Sequence, residues 1–179
     1  MPIEPDTKDW TWVLTRACPE CGYDAGAVAL DDVPERLRMN AAGWVGVLAD
    51  RPDVRDRPDE HTWSPLEYAC HVRDVHTVFD GRVRMMLETD DPAFPSWDQD
   101  ATAVEERYGQ QDPLEVAEQL RNAAAQVSGR YGALEGEAWE RTGRRSDGAV
   151  FTVGSLARYH LHDVEHHMHD VTGTGTAAR

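Results

Sequence analysis

The chain has 179 residues, a formal net charge of −15 and 28% charged residues. This length favours a single domain that can bury a core without disulfide staples. A surface of this charge repels phosphate backbones and anionic lipids, which excludes nucleic acid and membrane surfaces as expected partners. The three cysteines and the lack of a basic, apolar leader at the start of the sequence predict a cytoplasmic protein.

The periodic pattern divides the chain into an arm, a body and a tail. Residues 1–30 have no helical or strand periodicity and are expected to form an arm that packs on the body. Residues 31–173 carry the periodic segments, and residues 174–179 are expected to form a disordered tail.

Two helices are expected in the first half of the body. The first is predicted at 34–49, behind a cap at Asp31 or Asp32. The second begins at Ser64-Pro65-Leu66-Glu67, which is a capping box with proline in the first turn. Its apolar series continues to about Glu88.

Two further helices are expected in the second half. One is capped by Asp112 and runs towards Leu134, and the last is capped by Thr152 and ends before Gly173. The connection 89–111 is long for a compact domain, and no segment has strand-like alternation. The sequence therefore predicts an all-α four-helix bundle with long crossover connections.

The last predicted helix carries most of the histidines. At about 100° per residue, Asp163 and His167 lie on the flank of its apolar face and one turn apart, where they can share a cation. The opposite face is predicted to be solvent-exposed, and it holds His162, His166 and His169. The pair 162/166 has the same spacing as 163/167, so it is the alternative pair if the helix is rotated.

His71, four residues after Glu67 in the second helix, is the natural third ligand. Imidazole and carboxylate donors suit zinc, nickel, iron or manganese. Three protein ligands leave coordination positions for water or substrate, which is the catalytic pattern. A histidine on the flank of a core is also typical of a hydrogen-bonded structural residue, so both interpretations stay open.

With these motifs in view, the chain resembles the DinB-like superfamily of metal-binding four-helix bundles over about residues 31–172. The stretch Trp63–His71 is similar to the family's entry to its second helix, which ends in a ligand histidine. The stretch Asp163-Val164-Glu165-His166-His167 is similar to the last-helix motif.

The resemblance implies metal ligands at His71, Asp163 and His167, with zinc or nickel as the metal. Asp163 departs from the usual set of three histidines and is similar to the mycothiol-dependent branch, where a carboxylate occupies that position. The resemblance also implies a small-molecule substrate and a homodimer.

Cys18-Pro19-Glu20-Cys21-Gly22 has the spacing of a zinc knuckle, but no second pair of cysteines follows. Three interpretations remain open: half of a zinc site completed by a histidine or a partner chain, a redox-active dithiol, or a simple turn. The remaining thiol, Cys70, lies beside His71 on a predicted helix.

Two functions from different classes follow. The first is a metal-dependent thiol transferase, isomerase or hydrolase, and the resemblance implies that a low-molecular-weight thiol such as mycothiol attacks an electrophile. Expected pocket residues are Tyr68, Arg73, Trp97, Asp98 and Asp100, and His160 is expected to support a ligand. The alternative is a non-catalytic metal-binding or stress-response module. A third possibility is that the histidines bind no metal and serve packing or pH sensing.

Overall fold

The computed structural model describes residues 9–173, and its main elements are helical. The helices are α1 Val33–Asp50, α2 Pro65–Glu88, α3 Gln99–Glu105, α4 Pro113–Gly132 and α5 Val153–Thr172. The four long ones, α1, α2, α4 and α5, form the predicted four-helix bundle. Within the described part of the chain, none of the helices has the length and apolar content needed to cross a membrane.

The helices of the bundle are not packed in chain order. Helix α1 packs mainly against α4 and α5, and α2 packs against the same two helices. Helices α1 and α2 are therefore diagonal neighbours, and long crossovers join the elements. Side chains such as Trp44, Phe79, Leu120, Leu161 and Val164 fill the core between them.

The start of α2 is fixed by the capping box that the sequence predicts. The amide of Glu67 donates to Oγ of Ser64 at 3.3 Å, and the amide of Ser64 donates to Oε2 of Glu67 at 2.9 Å. Nε of Arg57 also donates to Oε2 of Glu67 at 2.8 Å, which neutralises this buried carboxylate. These bonds hold the first turn of α2 and so set the position of His71, one turn further on.

Beside the predicted bundle lies a small sheet that the sequence pattern does not show. Strands β1 Ala93–Phe94, β2 Thr142–Arg145 and β3 Val150–Thr152 form a small sheet. β1 runs parallel to β2, and β2 runs antiparallel to β3. Strands of two to four residues are too short to show the alternating pattern by which a strand is read from sequence.

Residues 9–30 pack against α5 through short 3-10 turns at Thr11–Leu14, Ala25–Ala27 and Leu30–Asp32. Val13 and Tyr23 are buried there. The hydroxyl of Tyr23 donates to the carbonyl of Arg158 at 2.7 Å. This segment, called the arm below, covers a face of α5 that the helix pattern alone assigns to solvent.

Candidate metal centre

Three side chains from two helices converge at one point of the bundle. Nε2 of His71, on α2, lies 3.5 Å from Oδ1 of Asp163, on α5. Nε2 of His167, one turn beyond Asp163, lies 3.7 Å from the same oxygen. One donor atom from each residue lies within 4.8 Å of the other two. The structure therefore brings together the three residues that the sequence singles out.

The site contains buried polar atoms without hydrogen-bond partners among the described residues. They are both ring nitrogens of His71 and Oδ1 of Asp163. Such atoms cost free energy unless something compensates them. A tetrahedral zinc ion with bonds of about 2.0–2.3 Å holds neighbouring donors roughly 3.3–3.8 Å apart. The distances to Asp163 fit a shared cation, and the two atoms at 3.5 Å are too far apart for a good hydrogen bond.

The ionisation states suit a cation. Burial lowers the pKa of His71, so its imidazole stays neutral and keeps a lone pair. Burial alone would raise the pKa of Asp163, but His71, His167 and His162 together outweigh it and hold that pKa well below its usual range. The site thus presents an ionised carboxylate at Asp163 and a neutral imidazole at His71, the forms in which these groups bind metals.

Asp170 orients His167. Nδ1 of His167 lies 3.0 Å from Oδ2 of Asp170. A carboxylate at this position holds the ring proton of His167 on Nδ1. The free lone pair of the ring is then on Nε2, the nitrogen near Asp163. Sequence reasoning missed Asp170, although its spacing of three residues from His167 on one helix is a signal that it can reach that ring.

Aromatic rings surround His71 and His167. The ring of Trp97 stacks on His71 with centroids 5.3 Å apart and planes 5° apart. The ring of Trp63 approaches His71 at 5.3 Å, and Tyr68 lies 5.1 Å from His167. These rings pack on the imidazoles and limit their rotation.

The three residues lie beside an open cleft of about 750 Å³, with Asp163 and His167 among its lining residues. As the sequence predicts, Tyr68, Trp97, Asp98 and Asp100 line the cleft. Its volume falls within the range of about 300–1,000 Å³ that is typical of small-molecule sites.

The prediction for Arg73 was wrong. Its Nη1 donates to Oε1 of Gln111 at 2.7 Å and of Gln119 at 2.9 Å, so it faces α4 rather than the cleft. The basic residues that line the cleft are Arg82 and Arg145. At about 100° per residue, Arg73 lies about 200° from His71 around α2 and therefore points away from the side of the helix that holds the site.

His160 does not support a ligand as expected. Its Nε2 lies 3.0 Å from Nδ1 of His76, and its Nδ1 lies 3.4 Å from the hydroxyl of Tyr131. Both ring nitrogens are therefore engaged with core residues rather than with His71, Asp163 or His167.

The expected exposure of His162 and His166 was also wrong. Both side chains are buried, because the arm packs over them, while His169 is half-buried. The arm brings Cys18 and Cys21 to the same place, so the two thiols and the two imidazoles form a second cluster of metal-binding residue types.

The bundle and its converging histidine and carboxylate ligands define a helical protein with a candidate divalent-metal site at the edge of a cleft. The chain belongs to the DinB superfamily, whose family model matches residues 30–171. It is similar in structure to YfiT from Bacillus subtilis, described as a probable metal-dependent hydrolase with an unusual four-helix bundle topology. That similarity has a TM-score of 0.72 at 17% identity, over 82% of this chain and 87% of that chain. A comparison with curated protein sequences found no match.

Proposed function

We propose that the protein is a metal-dependent enzyme whose cation is held by His71, Asp163 and His167. The observation that carries the proposal is the convergence of these three donors within 4.8 Å of one another. The buried, unpartnered atoms of His71 and Asp163 give independent support, because a cation would satisfy them. Membership in a family of metal-binding bundles points the same way.

The donor set favours zinc or nickel. Two imidazoles and one carboxylate are borderline ligands, whereas magnesium and calcium prefer sites made of oxygen donors. Three protein ligands leave positions on the side that faces the cleft, as in catalytic rather than structural sites.

When bound, such a cation lowers the pKa of a water or thiol that coordinates it and so supplies a nucleophile at neutral pH. Neighbouring residues of the chain position the three metal-binding side chains. Asp170 holds the ring of His167, Trp97 holds the ring of His71, and the ionised Asp163 balances part of the added charge. The cleft beside them can hold a small molecule in reach of the activated group.

The reaction we propose is transfer of a low-molecular-weight thiol, such as mycothiol, to an electrophilic small molecule. The thiol releases its proton to solvent, the sulfur forms a bond to the electrophile, and the leaving group departs with the bonding electrons. Asp163 supports this choice, because a carboxylate at that position resembles the thiol-dependent branch of the family. The cleft has room for a thiol cofactor and a second reactant.

Hydrolysis is the second candidate. Its support is the description of YfiT, a structure with the same fold, as a probable metal-dependent hydrolase. Water would then take the place of the thiol as nucleophile. The same three ligands serve either reaction, so the test must separate the nucleophiles.

The test uses tag-free protein stripped of metal and reloaded with Zn²⁺ or Ni²⁺. Consumption of mycothiol with 1-chloro-2,4-dinitrobenzene is followed beside hydrolysis of p-nitrophenyl acetate without thiol. Thiol transfer that falls to the uncatalysed rate in His71→Ala, and persists in the control Arg38→Ala on the exposed side of α1, is the expected result. Ester hydrolysis that is lost in His71→Ala and retained in the control variant would instead support the hydrolase function. A loaded protein without either activity would point to a metal-binding module.

A further inference from the structure

The second cluster joins the arm to the bundle. Cys18 and Cys21 are both 1% exposed, and His162 and His166, one turn apart on α5, are 3% and 7% exposed. One donor atom from each of the four residues lies within 4.8 Å of the other three. None of the four belongs to the site of His71, Asp163 and His167.

We propose that these four side chains form a second, structural metal site that binds zinc and fastens the arm to α5. Two thiolates and two imidazoles are a set typical of closed tetrahedral zinc sites. All four positions are filled by protein, so this site has no position for substrate. It differs in that respect from the three-ligand site.

The turn that carries the cysteines is already shaped for such a site. The amide of Cys18 donates to the carbonyl of Tyr23 at 2.7 Å, and the amide of Gly22 donates to the carbonyl of Cys18 at 2.9 Å. Gly22 has a φ of 77°, a conformation that favours glycine. These bonds close the turn and present both sulfur atoms to α5.

The donor atoms have the spacing of ligands. Sγ of Cys18 lies 3.8 Å from Nδ1 of His166, close to the roughly 3.3–3.8 Å between donors around a tetrahedral zinc ion. Nε2 of His162 is buried and has no hydrogen-bond partner among the described residues. A cation would satisfy that atom and offset the cost of burying the polar cluster.

The far nitrogen of His166 has the surroundings of a ligating imidazole. Its Nε2 lies 3.4 Å from Oε2 of Glu20 and 3.7 Å from Oδ1 of Asp170. Histidine ligands usually turn their second nitrogen to a carboxylate or a carbonyl, which fixes the ring. With Nδ1 towards Cys18 and Nε2 towards these carboxylates, His166 fits that pattern.

The zinc would also shape the cleft beside the first site. Trp10 and Glu20, both from the arm, line the cleft with Asp163 and His167. The ring of Trp10 packs on His162 at 5.7 Å and on His166 at 5.1 Å. Fixing the arm on α5 therefore fixes one wall of the cleft, and loss of the metal would loosen that wall.

The experiment measures metal content of tag-free protein by elemental analysis for wild type, Cys18→Ser/Cys21→Ser and the control Cys70→Ser. Cys70 is a buried thiol of α2 that contacts Tyr108 and Gln111 rather than the cluster. The expected result is the loss of one zinc per chain from the double variant only. A metal content equal to that of wild type would overturn the proposal.

A second measurement needs only the wild type, in case the double variant does not fold. Stepwise addition of an organic mercurial should release one zinc as Cys18 and Cys21 react. Cobalt substitution should give thiolate-to-cobalt charge-transfer absorption. Thiols that react without metal release, or a Cys18–Cys21 disulfide in freshly purified protein, would overturn the proposal. Because His71→Ala removes no ligand of this cluster, failure of this site and failure of the first site are distinguishable.

Discussion

Asp170 lies three residues after His167 on α5, and its carboxylate meets Nδ1 of that histidine at 3.0 Å. The other oxygen of the same carboxylate lies 3.7 Å from Nε2 of His166. One acidic side chain therefore lies beside a histidine from each of the two clusters. The contact with His167 is a hydrogen bond that orients the ring, whereas the contact with His166 is longer than a hydrogen bond.

Asp170→Ala should weaken metal binding at His71, Asp163 and His167 by about 10–100-fold, the usual cost of removing a residue that orients a ligand. Asp170→Asn keeps an acceptor and should cost less. Competitive chelator titration measures the affinity. Asp90→Asn is the control, since the side chain of Asp90 is 97% exposed and pairs with Arg141. Equal affinity in wild type and Asp170→Ala would show that Asp170 does not position His167.

Trp97 should report on the metal. Its ring lies parallel to His71, so binding of Ni²⁺ or Co²⁺ should quench its fluorescence. Trp97→Phe should remove a large part of the quenching without changing the metal content. Trp139→Phe is the matched control, because Trp139 stacks on Tyr131 at 6.0 Å, a core residue outside both clusters. Because Trp63 also lies 5.3 Å from His71, the same quenching in wild type and Trp97→Phe would show that Trp97 does not report on the cation.

Gly143 allows β2 to lie close to α2 and β1. A Cβ at this position would come within 2.7 Å of Cγ of Met86 and 2.8 Å of Cε1 of Phe94. Gly143→Ala should therefore destabilise the fold by about 1–3 kcal/mol through overpacking. Gly81→Ala, in α2 with nothing within 4 Å of the added carbon, should stabilise it by about 0.5–1 kcal/mol. Urea unfolding measures the free energy of unfolding of both variants. An equal change in the two would contradict the close packing of Gly143 against Met86 and Phe94.

Stability should fall as the pH falls below 6.5. Burial lowers the pKa of His76 to about 4 and holds the pKa of its partner His160 well below 6.5. At pH values between about 4 and 6.5, His76 and His160 bind protons in the unfolded chain but not in the folded chain, so acid favours unfolding. Each such histidine contributes up to about 1.4 kcal/mol per pH unit.

Urea unfolding of metal-free protein from pH 7.5 to 5.0 measures this slope. His76→Asn removes one of the groups and should give a shallower slope, whereas the exposed control His61→Asn should follow the wild type. A slope unchanged by His76→Asn would mean that His76 is protonated in the folded state.

The helices could be read from the sequence because their signals are local. The capping box at Ser64 and Glu67 lies within one turn, and it placed the start of α2 at Pro65. Helical phase placed Asp163 and His167 on one flank of α5, and the structure brings His71 to them. Gly173, with a φ of 68°, ends α5 as expected.

The burial of His162 and His166 could not be read in this way. Their cover comes from a segment without periodicity, and Cys18 is 148 residues away from His166 along the chain. An amphipathic pattern reports the face of a helix that meets other regular elements. It does not report a face that an irregular arm covers, which is why His162 and His166 were assigned to a solvent face although both are buried.

We propose above that His71, Asp163 and His167 hold one divalent cation. The most direct test is elemental analysis of tag-free wild type, His71→Ala, His167→Ala and the exposed control His61→Ala, each checked for folding by circular dichroism. We expect that His71→Ala and His167→Ala each lose one metal ion per chain relative to wild type and to His61→Ala. Metal content that is the same in all four folded proteins would contradict it.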